Sequence, residues 1–137
     1  MKLTTKFHIL VLFFIVVIFS CQSNAQQSST KKTVDITPTE FKAAMTKEST
    51  VILDVRTPKE VAQGIIPGAK VLNFYDNNFK TELGKLDKNK TYLVYCKSGG
   101  RSGKVCKALE NAGITNYHNL EGGITAWRKA GLETVQQ

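Results

Sequence analysis

The sequence predicts an α/β domain built on a mostly parallel sheet, and three observations carry that prediction. Short apolar runs rich in β-branched residues, among them "VILDV" (51–55) and "TYLVY" (91–95), alternate with stretches of helical spacing. The pattern Thr-Pro-x-Glu stands at 37–40 and again at 57–60, each time opening a helical segment. A glycine pair, Gly99 and Gly100, follows an apolar run almost directly, at the point where a strand would pass into a helix.

The elements follow in order. In "DITPTEFKAAM", Thr37 can cap, Pro38 suits the first helical position and Glu40 completes a capping box, with Ile36 and Phe41 placed for a hydrophobic staple. Phe41, Ala44 and Met45 then share an apolar face. "VILDV" is short enough for a strand buried on both faces, and Thr57, Pro58 and Glu60 start a second helix at its end. "AKVLNF" reads as a further short strand after the "IPGA" turn, and "TYLVY" as a buried one. Beyond the loop at 96–100, Val105, Leu109 and Ala112 lie on one helical face and Gly113 supplies the stop. "YHNL" is a short strand, and "GGITAWRKAG" a last helix carrying Ile124 and Trp127. The chain shows no internal repeat, and its 137 residues suit a single domain.

The N-terminus is set apart from that domain. Lys2 and Lys6 precede an unbroken apolar run from Ile9 to Phe19, which is shorter than the roughly 20 residues of a membrane-spanning helix and fits the core of an export signal. "IFSC" (18–21) resembles the lipobox of bacterial lipoproteins, with Cys21 as the lipidated residue, although Phe19 is bulkier than that pattern usually carries. Cleavage after "SNA" (23–25) is the rival, and an uncleaved anchor the third reading. The expected organisation is a lipoprotein signal over 1–21, a polar flexible tether over 22–32 and the folded domain over 33–134. The expected location is the bacterial cell envelope, anchored by lipid and facing the periplasm, with a soluble periplasmic or secreted protein as the alternative.

The net charge of +8 fits a solvated surface with mild attraction to anionic substrates or membranes. No basic cluster is interleaved with aromatics, so nucleic acid is not an expected partner. Of the two histidines, His8 lies in the leader, so a metal site lacks ligands and none is expected. A disulfide between Cys96 and Cys106 is open in an oxidising compartment, and nothing in the sequence demands one.

The chemistry concentrates in "YCKSGGRSGKVC" (95–106). Parallel α/β sheets bind ligands at the carboxyl ends of their strands, and Cys96 stands at the end of "TYLVY". Gly99 and Gly100 let the backbone curl so that successive N–H groups converge, which stabilises negative charge at the sulfur. Lys97, Arg101 and Lys104 add positive potential, so a lowered thiol pKa is expected. A cation at a helix start opposes the helix dipole, so Arg101 is expected to bind substrate or brace the loop. The Cys-x-x-x-x-Arg ring from Cys96 to Arg101 is one residue tighter than the phosphate loops of cysteine phosphatases, which favours a smaller group such as a single sulfur atom.

From about Thr33 to Gly131 the chain resembles a single rhodanese domain. "VILDVRTPKEVAQGIIPGAKVLN" is similar to that family's first signature, "VYCKSGGRSGKV" to its active-site loop and "NLEGGITAW" to its C-terminal box. The resemblance implies a five-stranded parallel sheet between helices, with Cys96 as the persulfide-carrying cysteine. It implies that Lys97, Ser98, Gly99, Gly100, Arg101 and Ser102 form the substrate-enclosing loop. One departure is visible: Gly64-Ile65 stands where many relatives carry Gly-His, which bears on loop support or partner docking.

The expected activity is sulfur transfer by a monomer without cofactor. A small donor such as thiosulfate or a persulfide would load Cys96, and cyanide or a thiol, including a protein thiol, would unload it. The alternatives are a lipid-tethered sulfur-carrier or binding module with little turnover, and a phosphatase or arsenate-type enzyme. Cys106 is expected to pack in the core, with a resolving role as the minority reading. Asp54 and Arg56 should pair in support of the loop, His118 should be structural or exposed, Trp127 should belong to the core, and Lys97 either guides an anion or is simply exposed.

Overall fold

The computed structural model describes residues 35–137. The expected export signal, Cys21 and the expected tether over 22–32 lie outside the described residues. The element order is β1 (Asp35–Ile36), α1 (Pro38–Ala44), β2 (Thr50–Asp54), α2 (Pro58–Val61), β3 (Lys70–Val71), α3 (Phe79–Gly84), β4 (Thr91–Tyr95), α4 (Gly100–Asn111), β5 (Tyr117–Leu120) and α5 (Gly123–Lys129). The five strands form one sheet in the order β1-β5-β4-β2-β3, and every pairing is parallel. The predicted fold class is the observed one.

Both Thr-Pro-x-Glu segments form complete capping boxes. Thr37 and Thr57 accept from the backbone N–H of Glu40 and Glu60, whose carboxylates accept from the backbone N–H of the caps at 2.8 and 3.0 Å. The apolar runs divide by the strand's period of two. Tyr92, Val94 and Cys96 face one side, where they pack with Val105, Cys106 and Leu109 of α4 and with Phe79 and Leu83 of α3. Leu93 and Tyr95 face the other, against Phe41 of α1 and Ile124 and Trp127 of α5. The Trp127 ring meets Phe41 edge-on, and its indole N–H donates to the Glu133 carbonyl at 2.8 Å. Trp127 is therefore core. The same alternation directs the Cys96 side chain toward α4.

Three elements depart from the sequence reading. β1 and α3 were not anticipated, and β3 is confined to Lys70–Val71 where "AKVLNF" suggested more. Two residues at a sheet edge carry no readable period, and α3 offers a single i, i+4 pair, Phe79 with Leu83, behind an Asn78 that makes no side-chain cap. The chain leaves the ladder after Val71, although Leu72 and Phe74 still donate to the carbonyls of Asp54 and Val55 at 2.8 and 3.2 Å. Those two bonds carry it past the carboxyl end of β2, beside the loop that follows β4.

At that end lies a buried polar knot. Arg56 (2% exposed) binds Asp54 (0%) through Nε at 2.9 Å and Nη2 at 2.5 Å, and also donates to the carbonyls of Glu60 at 3.1 Å and Gly64 at 2.9 Å. The Tyr95 hydroxyl donates to Asp54 at 2.7 Å and accepts from the Ile66 N–H at 3.1 Å. Burial, then the Asp54 carboxylate, holds that phenol above its ordinary pKa, so it stays a donor. The knot ties β2, the start of α2, the 64–66 turn and β4 together, the structural pairing expected of Asp54 and Arg56.

Removing one partner leaves a buried charge uncompensated. Arg56→Ala should destabilise the fold by about 3–5 kcal/mol, read as a lowered urea midpoint; a midpoint equal to wild type would show that the pair contributes nothing.

Candidate active site

Cys96 follows β4 and is 1% exposed. Its Sγ accepts from the Gly99 N–H at 3.1 Å and from the Ser102 hydroxyl at 3.4 Å. Ser102 lies in the first turn of α4, fully buried, and its hydroxyl also reaches the Gly99 carbonyl at 3.1 Å. Gly99 sits at φ +96°, a left-handed conformation that a residue with a Cβ adopts only under strain, so the turn favours glycine. Lys97, Ser98 and Gly100 are exposed around the rim, and Arg101 is half-buried beside them.

Burial alone would raise the thiol pKa. The Ser102 hydroxyl, followed by the backbone N–H groups of Ser102, Ser98 and Gly99, outweighs it and leaves Cys96 below its ordinary value. The direction is the one expected, but the leading cause is not. Hydrogen bonds to the sulfur come ahead of the lysine and arginine charges, because Lys97 and Lys104 project into solvent and Arg101 is engaged elsewhere.

Arg101 forks onto Glu60, Nη1 at 2.8 Å and Nη2 at 2.5 Å, and its guanidinium lies 5.7 Å from the centroid of the exposed Tyr75 ring. Arg101 draws the Glu60 carboxyl from its ordinary 4.5 to about 2, against burial and with help from Thr57. Of the two roles foreseen for Arg101, the geometry shows the brace: it ties the start of α4 to α2. Sequence reading saw Glu60 only as a helix cap. The carboxylate serves both purposes, and nothing local could have signalled the second.

A further support was missed entirely. The carbonyls of Cys96 and Lys97 accept from the Ile124 and Thr125 N–H groups at 2.9 and 3.2 Å, and the Thr125 hydroxyl donates to the Lys97 carbonyl at 2.9 Å. α5 therefore holds the loop from behind. The approach is so close that a Cβ on Gly123 (φ +58°) would lie 2.5 Å from the Cys96 carbonyl oxygen and 2.6 Å from the Lys97 carbonyl carbon. The available signal was Gly122-Gly123 ahead of a helix, with no capping side chain to explain it. Asn119 of β5 also backs the loop, donating to Asp35 at 2.7 Å and to the Gly99 carbonyl at 3.3 Å.

Cys106 is a free thiol packed in the core, as Cys96 is a free thiol in its loop. Burial, then Asp35, pushes Cys106 up to about 12, which leaves it protonated and unreactive. His118 is half-buried in β5. Among the described residues no group of three His, Cys, Asp or Glu side chains could hold a metal ion.

Comparison with known proteins bears on this geometry. The family model described as Rhodanese-like domain matches residues 37–130. A sulfurtransferase of Allochromatium vinosum is 38% identical over 88 residues, 64% of this chain and 80% of that protein. A chloroplastic thiosulfate sulfurtransferase of Arabidopsis thaliana is 37% identical over 94 residues, 60% of this chain and 77% of that protein. Among solved structures, a rhodanese-like domain protein from Staphylococcus aureus superposes with a TM-score of 0.64 at 36% identity, covering 75% of this chain and 97% of its own.

Gly123→Ala forces backbone against backbone and strains φ, so it should cost about 1–3 kcal/mol. It should also slow alkylation of Cys96 by iodoacetamide, and unchanged alkylation in a folded variant would show that α5 does not set the loop. The Glu60 carboxylate has a folded-state pKa depressed from 4.5 to about 2. Its contribution is therefore fully present above pH 4.5 and is lost as pH falls through about 2. The urea midpoint of Glu60→Gln should lie below wild type at pH 6 and converge with it toward pH 2; a gap independent of pH would show that the charge is not the cause.

Proposed function

The chain belongs to the rhodanese-like family, whose sulfurtransferase-named relatives support a general sulfurtransferase activity, and from that premise we propose that sulfur passes through a persulfide on Cys96. The observation that carries this reading is the Cys96 sulfur, buried yet bonded by the Gly99 N–H and the Ser102 hydroxyl.

The thiolate attacks the sulfane sulfur of thiosulfate, a new S–S bond forms, the donor's own S–S bond breaks, and sulfite leaves with the electron pair. A persulfide donor reacts in the same way and releases its thiolate. The terminal sulfur of the adduct carries the negative charge, and the amides and hydroxyl that stabilise the thiolate are placed to stabilise it in turn. An acceptor, cyanide or a thiol, then attacks that terminal sulfur and Cys96 leaves as thiolate. The low pKa that makes Cys96 a nucleophile also makes it a good leaving group, so both half-reactions draw on the same hydrogen bonds. The thiosulfate assignment is supported by the name of the Arabidopsis relative and by the tightness of the six-residue ring from Cys96 to Arg101, which suits one sulfur atom better than a phosphoryl group. The leader and Cys21 complete the reading: a domain tethered by lipid in the bacterial envelope, drawing on donors and acceptors outside the cytoplasm.

Intact-protein mass spectrometry after thiosulfate treatment tests the chemistry. The expected result is a gain of one sulfur atom that disappears on adding cyanide and never forms in Cys96→Ala. Ser102→Ala should load about fivefold more slowly, the loss of roughly one hydrogen bond of about 1 kcal/mol. Absence of the adduct with thiosulfate and with a persulfide donor alike would overturn the proposal and favour a carrier or binding module.

A further inference from the structure

Among the described residues one buried side-chain N or O atom lacks a hydrogen-bond partner, the Oδ1 of Asn119. Asn119 is 6% exposed and stands in β5 between its register partners, Val94 of β4 and Asp35 of β1, on the face where Val94 packs against α4. An unpaired buried acceptor is costly. The amide is nonetheless fixed in this orientation, because its Nδ2 donates to Asp35 Oδ1 at 2.7 Å and to the Gly99 carbonyl at 3.3 Å. Turned over, it would set Oδ1 against two acceptors and lose both bonds.

What Nδ2 does at Gly99 bears on the sulfur through Ser102. The Ser102 hydroxyl has one proton and two acceptors in reach, Cys96 Sγ at 3.4 Å and the Gly99 carbonyl at 3.1 Å. Sulfur is the weaker acceptor, so a carbonyl with a vacant lone pair would draw the proton away. This carbonyl has none vacant. Its two lone pairs are met by the Gly103 N–H at 2.9 Å and by the Asn119 amide, which leaves the proton for the sulfur. Burial opposes the thiolate, and the Ser102 hydroxyl stands first among the groups that offset it.

We propose that Asn119, held in orientation by Asp35, is a positioning residue that directs the Ser102 proton onto the Cys96 sulfur. The inference rests on the sulfur-transfer reading only in taking Cys96 as the reacting residue. It places a control of the nucleophile in two strands on the far side of β4, in residues 84 positions apart along the chain that touch neither sulfur nor substrate.

The test is the pH dependence of iodoacetamide alkylation at Cys96, read on the full chain by peptide mass spectrometry so that Cys96 is separated from Cys21 and Cys106. The midpoint reports the thiolate, and no sulfur donor is needed. Asn119→Leu keeps the side chain's size, removes the unpaired oxygen and should move the midpoint up by about 0.7 in pH, the fivefold effect of one hydrogen bond. Ser102→Ala should do the same, and the two substitutions together should go no further; shifts that add would overturn the route through Ser102. Asp35 is exposed, so Asp35→Ala gives a reading even if Asn119→Leu fails to fold. Removing a carboxylate would by itself lower the midpoint, so a rise reports the lost orientation, and Asp35→Asn, which keeps an acceptor, should show none. No rise in Asn119→Leu, or none in Asp35→Ala, would overturn the proposal. If the midpoints move as stated while no donor yields a persulfide, sulfur transfer falls and the positioning stands; if Cys96 gains sulfur while the midpoints stay in place, the positioning alone falls.

Discussion

The loop can point its amides at one sulfur atom only if the carbonyls on the same peptides find partners elsewhere. Each peptide plane carries its N–H and C=O in opposite directions, so a concave face of donors has a convex face of acceptors behind it. Here the Ser98 N–H that bonds the sulfur shares its peptide with the Lys97 carbonyl, which the Thr125 N–H and hydroxyl meet, while the neighbouring carbonyls of Cys96 and Gly99 are met by the Ile124 N–H and by the Gly103 N–H with Asn119. The first turn of α5 has free N–H groups to offer because helix starts always do. Nearly every support around Cys96 follows from this need, including a Gly123 that leaves no room for a side chain.

A second constraint acts from the other side of the sheet's carboxyl end. The Asp54–Arg56 pair is buried with four further hydrogen-bonding groups around it: the Tyr95 hydroxyl, the Arg56 N–H and the carbonyls of Glu60 and Gly64. Desolvating two charges is costly, and a buried pair is weak evidence for stability in itself. What it secures is geometry. Every satisfied partner belongs to a segment that borders the loop, so a shift of any of them would leave a buried polar group unpaired. Glu60 then extends the arrangement outward, its backbone bound to Arg56 and its carboxylate to Arg101.

What the sequence made legible and what it hid have a common physical basis. Local signals were read correctly because their causes lie within a few residues: the two capping boxes, the buried period of "VILDV" and "TYLVY", and the turn at Gly99. The order of the strands and the close contact of α5 with the loop were hidden because residues 96–97 and 123–125 are brought together by the whole β5 crossover. β1 and α3 were hidden for a different reason, since elements of two residues or one apolar pair have too little pattern to show. Glu60 was seen and half understood. A capping carboxylate keeps lone pairs to spare, and only the fold shows which distant cation takes them.

The two cysteines of the domain show why residue type alone says so little about reactivity. Both are about 1% exposed and both belong to the same apolar cluster, Cys106 within α4 and Cys96 just ahead of it. Burial pushes both pKa values in the same direction, upward. Cys106 has the middle of a helix around it, where the backbone N–H groups are already bonded within the helix, and it stays a thiol. Cys96 precedes the helix, where the Ser102 hydroxyl and N–H groups not taken up by the helix reach the sulfur, and the balance reverses. The difference is a matter of ten residues along the chain. It arises because unsatisfied donors exist only where regular structure begins, which is where a parallel sheet hands its chain over to a helix.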